Sequence, residues 1–292
     1  MSLRSAVRRV ARLAGVVGGV GLVAVAAAQQ PVNEKSPAKP APALRIPTAD
    51  DPAPEVPVPV AKVEVGVAPI NGDESLPKAL AEARGAYGKT RDYACYLVRQ
   101  EKVGGKLLPE EVTELRVKTQ PFSAAVRVIT PKALAGQDTI YQTKQSTLKV
   151  RFRAAGPEGF RGYASLPLGD AKVMADTRHP MPDVGLLAVV ERIEHVIATE
   201  KKLNHPVQVL ASDYTFNDRS VVRYEVFTDL PHQGRYAFRC VLCVDKETKL
   251  PIRFEAYEQP KAGGPIDGEL LEVQSFIGLK LNANIEASVF DR

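Results

Sequence analysis

The chain has 292 residues, of which 45% are hydrophobic and 25% charged, with a formal net charge of +5 and three cysteines. Arg4, Arg8, Arg9 and Arg12 lie in a leader without acidic residues, so the rest of the chain carries only +1. That balance excludes a basic footprint for nucleic acid.

Residues 1–28 run from a basic start through an apolar stretch, Leu13 to Ala28, to Ala26-Ala27-Ala28 before Gln29. This is the pattern of a secretory signal peptide with a small-residue cleavage site. The apolar run is shorter than the ~20 residues of a membrane-spanning helix, so a periplasmic or otherwise exported product without a stable membrane span is expected. Residues 29–73 are rich in Pro and Ala, as in PAKPAPALRIPTADDPAPEVPVPV. Proline at this density sustains neither helix nor central strand, and the segment reads as a disordered linker.

A single domain is expected over residues 74–292. Leu76, Leu80, Ala83 and Tyr87 recur at helical spacing, with Asp73 or Ser75 to cap the start and Gly88 near the end. Alternation then predicts strands over 92–103, 111–119, 122–130, 138–142 and 147–153, with Gly104-Gly105 as a tight turn. Residues 154–182 read as a long irregular loop. A second amphipathic helix covers 183–202, with Leu186, Val189, Val190, Ile193 and Ile197 on one face and Lys201-Lys202 at its C-terminal end. Strands at 205–215 and 220–228 precede the clearest signal in the chain, YAFRCVLCVDKETKLPIRFEAY over 236–257. There Tyr236, Phe238, Cys240, Leu242 and Val244 fall on one strand face, Asp245 opens a turn and Pro251 starts the return strand. A final strand covers 269–277. Short strands in succession with two helices define an α+β domain built on an antiparallel sheet.

Chemical signatures are sparse. His179, His195, His205 and His232 show no metal-binding spacing, and Glu191 with His195 reads as a surface ion pair. The glycines of 154–182 are not set between a strand and a helix as a phosphate loop requires. Neither metal nor cofactor is implied, nor is a nucleophile-base arrangement. Cys240 and Cys243 have a C-x-x-C spacing, but on a strand the two sulfurs point to opposite sides of the sheet. For an exported protein the alternatives are one disulfide, with Cys95–Cys240 the preferred pair, or three reduced thiols packed as small apolar groups.

The order helix, hairpin, KTQPFSAAVRV, TRHPMPDVGLLAVVER, VDKETKLPIRFEAYEQP and LKLNANIEASVFD resembles an exported bacterial family known as domain of unknown function 1571, over about Leu76 to Asp291. Its more specific parts are Arg178-His179-Pro180 through Gly185-Leu186, and Leu250-Pro251-Ile252-Arg253. More distantly, the D-x-x-T-x-L-P hairpin and the terminal N-x-x-I-x-x-x-x-F look like those of the periplasmic lipoprotein carriers and lipid-binding lipoproteins of the LolA and LppX type. That resemblance implies a curved antiparallel sheet, an open half-barrel, with two main helices over its concave face and an acyl-chain cavity between them. The lining would then come from Tyr93, Leu97, Phe122, Val126, Tyr236, Phe238, Leu242 and Phe254, residues whose ordinary reading is hydrophobic core.

Three functions follow. The first is a non-catalytic binding protein for a lipid or lipoprotein, which requires an apolar cavity. The second is an interaction module for an envelope protein partner, with a filled core. The third is an enzyme with a carboxylate pair near Asp170 and Asp176.

Overall fold

The computed structural model describes residues 70–228 and 230–292, with side chains from Glu74 onward; the leader and most of the linker, and with them the expected signal peptide, lie outside these residues. The elements are β1 (Ile70–Asn71), α1 (Gly72–Lys89), β2 (Asp92–Val103), β3 (Lys106–Leu107), β4 (Glu111–Lys118), β5 (Ser123–Thr130), β6 (Asp138–Gln142) and β7 (Lys149–Arg153). They continue with β8 (Ala164–Pro167), α2 (Ala171–Met174), α3 (Leu186–Lys202), β9 (Val207–Phe216), β10 (Arg219–Thr228), β11 (Arg239–Asp245), β12 (Pro251–Tyr257) and β13 (Leu270–Leu281). The expected loop at 154–182 thus carries β8, α2 and two short 3₁₀ turns, Gly156–Arg161 and Met181–Asp183.

The strands form one antiparallel sheet in the order β1-β9-β10-β11-β12-β13-β2-β4-β5-β6-β7-β8, with β3 paired to the end of β2. Twelve strands laid flat would span roughly 50 Å, about twice the length of an 18-residue helix. Yet one continuous apolar cluster joins Leu76, Leu80 and Ala83 of α1 and Leu186, Val189 and Ile193 of α3 to strands from Ala211 on β9 to Phe152 on β7. One cluster joins two helices to so many strands only if the sheet curves around them, so the fold is an open half-barrel with its helices on the concave side.

Alternation sets the faces. Cys240, Leu242 and Val244 of β11 join the concave cluster, while Cys243 belongs to a smaller convex cluster with Val98, Val221 and Ile252. The C-x-x-C sulfurs therefore diverge. All three cysteines are free and buried, and burial pushes the Cys240 and Cys243 thiols up to about 12. The expected Cys95–Cys240 bridge is absent because β12 and β13 separate β11 from β2. Three strand spacings amount to about 14 Å along the sheet, whereas a disulfide needs Cα atoms within about 7 Å.

Two local devices fix the β11–β12 hairpin and helix α3. Asp245 accepts hydrogen bonds from the Glu247 and Thr248 amides (3.1 and 2.6 Å) and from Arg219 (2.6 Å), closing the turn between β11 and β12. At the start of α3, Gly185 has φ +100° and no side chain to cap the helix. The fully buried Tyr93 supplies the cap instead, its hydroxyl accepting the Leu186 amide at 3.1 Å. The hydroxyl fills the space a Cβ at position 185 would need. The C-terminal segment straps the convex face: Asn282 accepts the Arg91 amide, Asp92 accepts the Asn284 amide, and Phe290 buries against Ala125 and Ile140.

Candidate functional site

Along β2 and β13 the concave face is apolar at the cross-strand pair Leu97 and Phe276, then turns polar. Arg99 lies opposite Gln274, and Glu101 lies opposite Glu272. Two like charges directly opposed on neighbouring strands repel. Here both are also deeply buried, Glu101 at 3% exposure and Glu272 at 0%.

The segment 176–181, which holds the Arg178-His179-Pro180 motif, answers this charge. Thr177 Oγ1 donates to Glu101 Oε2 (3.1 Å), and the Arg178 amide donates to the same oxygen. His179 Nε2 lies 2.9 Å from Glu272 Oε2, Arg178 Nε 3.8 Å from Oε1, and Arg192 Nη1 of α3 3.6 Å from Oε2. The Gln274 amide donates to Glu272 at 3.0 Å, and the Tyr236 hydroxyl donates to its other oxygen. Burial works to raise the Glu272 pKa, but the His179 hydrogen bond and the Arg192 and Arg178 charges outweigh it, and the carboxyl is held below its ordinary value. Arg192 also stacks over the Phe254 ring at 5.2 Å, tying the charge cluster to the core.

On the β2 side, Arg99 donates to Glu111 Oε1 at 2.9 Å and reaches Thr177 at 3.0 Å. Burial pushes the Glu111 carboxyl up, and the neighbouring Asp176 and Glu101 add to the rise against the opposing pull of Arg99. Asp170 lies elsewhere in role, capping α2 through the Lys172 amide at 2.9 Å.

Two spaces flank the cluster. Beneath the 176–181 segment is a cavity of about 40 Å³ lined by Leu97, Arg99, Glu101, Val126, Asp176 and His179 among others. It has room for an ordered water or two and none for an acyl chain. Outside it runs an open groove of about 610 Å³, with Tyr236, Ala237, Phe238, Pro260 and Leu271 as apolar surface and Arg178, Arg235 and Lys261 as cations, beside Glu258.

The eight expected lining residues therefore part ways. Tyr93, Leu242 and Phe254 are fully buried core. Leu97 and Val126 belong to that core and border the small cavity. Phe122 is half-buried beside Tyr141, their ring centroids 6.0 Å apart. Tyr236 and Phe238 line the groove. Phe238 departs from the core face because the strand starts only at Arg239. The bend at Phe238 turns its ring toward Phe227, 6.2 Å away, while Ala237 takes the inward position.

Sequence reasoning missed Glu101, Glu272 and Arg192. The one available signal was the charge itself: Glu272 and Arg192 both interrupt apolar faces, at positions where alternation and helical spacing call for hydrophobic side chains.

The geometry defines a class, an open antiparallel half-barrel with helices on the concave side and a polar cluster bordering a surface groove. Residues 90–292 match the family described as "Protein of unknown function (DUF1571)", and the chain belongs to it. No curated protein matches the chain in sequence. Solved structures similar to it include an uncharacterized conserved protein from Thermus thermophilus, 11% identical, covering 75% of this chain and 93% of that one with a TM-score of 0.44. The lipoprotein LppX of Mycobacterium tuberculosis is 11% identical, with 73% and 98% covered and a TM-score of 0.42. A LolA superfamily protein from Nitrosomonas europaea is 11% identical, with 74% and 97% covered and a TM-score of 0.32. Among the described residues no helix is long and apolar enough to cross a membrane.

Proposed function

We propose that this chain is an exported, non-catalytic binding protein that holds an acyl chain, free or carried on a lipoprotein, in the groove beside Tyr236 and Phe238. The observation that carries the reading is the groove itself: an open volume of about 610 Å³ with Tyr236 and Phe238 as its floor and Arg178, Arg235 and Lys261 at its rim, Lys261 being paired with Glu258 at 3.1 Å. That size lies within the ~300–1,000 Å³ typical of small-molecule sites. Apolar floor and cationic rim suit an amphiphile with an anionic head, the tail lying on Phe238 and the head facing Arg178 and Arg235.

The test is uptake of a fluorescent fatty acid by the full chain, with native mass spectrometry to count bound molecules. Phe238→Arg places a charge on the floor without touching the concave core, and is expected to weaken uptake by at least about tenfold, as burying an unpaired charge costs more than ~1.4 kcal/mol. A wild-type chain that stays empty in saturating lipid overturns the reading. The filled core favours a second reading, in which the groove receives an extended segment of an envelope protein. Under it, Phe238→Arg leaves lipid uptake at the wild-type background and abolishes co-purification of one protein partner.

A further inference from the structure

The helix α3 ends at a cluster that none of this uses. Glu200, in its last turn, is 2% exposed, and its two carboxylate oxygens face two different imidazoles. His205 Nδ1 lies 3.0 Å from Oε2, and His232 Nε2, from the connection between β10 and β11, lies 2.7 Å from Oε1. The three donor atoms all lie within 4.8 Å of one another.

We propose that Glu200, His205 and His232 form a zinc site with three protein ligands and one open position. Two imidazole nitrogens and a carboxylate oxygen are a donor set that zinc takes in tetrahedral sites, with bonds of about 2.0–2.2 Å. Such bonds place neighbouring donors roughly 3.3 Å apart, and the two carboxylate–imidazole separations, 3.0 and 2.7 Å, fall a few tenths of an ångström short of that. The surroundings of His232 point the same way. Its Nδ1 faces the Gln233 carbonyl at 3.1 Å, the outer hydrogen bond that orients a metal-ligating histidine. In the neutral tautomer that donates from Nδ1 to that carbonyl, Nε2 presents a lone pair to a carboxylate, and a cation between them gives both acceptors a partner; in the protonated ring Nε2 donates to Oε1 instead, so zinc competes with a proton for this position.

The backbone holds the ligands independently of any metal. His205 follows Asn204, whose φ of 55° turns the chain out of the helix, and the His205 amide donates to the Glu200 carbonyl at 2.9 Å. The Arg235 amide donates to the His232 carbonyl across the turn that carries Gly234 at φ +84°. Arg235 is the nearby opposing charge, and it sets a limit on affinity. A metal here would pin the end of α3 to the connection that leads into Tyr236 and Phe238, fixing one wall of the groove. The assignment stands on the ligand geometry and does not depend on what the groove binds.

The experiment uses the full chain without a polyhistidine tag, stripped with a chelator and titrated with zinc chloride by calorimetry, then with cobalt(II) by visible absorption. One zinc per chain and cobalt bands in the four-coordinate range are expected. Losing even an outer-shell partner costs roughly 10–100-fold in affinity, so His205→Ala and His232→Ala should each weaken zinc by more than about 100-fold. Circular dichroism reports whether the variants fold. Where they do not, imidazole nitrogen resonances of the wild-type chain decide: zinc shifts confined to His205 and His232 support the site, and shifts at His179 or His195 instead overturn it. A folded wild-type chain that takes up no zinc, or a folded double variant that binds as the wild type does, also overturns it.

Discussion

Tyr93 shows how one side chain carries two structural tasks at once. Its ring fills the concave core, with the Tyr87 ring edge-on at 6.4 Å, and its hydroxyl caps α3. Tyr93→Phe keeps the ring and removes the cap, and should cost about 1–2 kcal/mol in urea unfolding, the usual loss for a helix cap or a buried hydrogen bond. Gly185→Ala meets both a positive φ and the Tyr93 hydroxyl, so it should destabilise more than Tyr93→Phe does. Glu272 makes a different kind of demand. Its folded-state pKa is depressed, so its contribution to stability is complete above the unfolded value of ~4.3 and fades as pH falls through the folded value. Urea midpoints measured from about pH 6 downward should therefore drop below about pH 4, and Glu272→Gln should flatten part of that slope. Glu272→Ala leaves Arg192 and His179 facing a void and should cost ~3–5 kcal/mol, the usual consequence of breaking a buried ion pair.

At the scale of elements, the strap at 176–181 is held by charge and the hairpin by its turn. Asp245→Ala removes acceptors from two amides and from Arg219 together. It should lower stability by about 1–3 kcal/mol, with the loss visible as faster amide exchange across β11 and β12. These elements were unequally legible in the sequence. Period-two alternation marks each long strand, and β2 and β6 fall on the expected boundaries because Gly, Pro or polar residues bracket them. Phe238 was misplaced because alternation assumes an unbroken strand, and a bend precedes Arg239. The opposition of Glu101 and Glu272 was hidden for another reason. It exists only once β13 pairs with β2, and no local pattern encodes a pairing between residues so distant in the chain. The meeting of His205 and His232 at Glu200 was hidden in the same way.

For the whole molecule, the sheet order separates two consecutive runs. Strands β2 to β8 follow one another on one side and β9 to β13 on the other, apart from the short β1, and the last strand closes against β2. Each run assembles from neighbours in sequence, whereas the seam between them waits for the end of the chain. That order has a kinetic consequence. Until residues 270–281 arrive, β2 and β12 both offer unpaired backbone along an edge, the surface through which unfinished sheets stick to one another. A chain stopped after Tyr257 would keep its central hairpin and lose the seam, and it should aggregate where the full chain stays dispersed. Synthesis of the closing strand thus decides whether the earlier strands meet their own partner or a stranger.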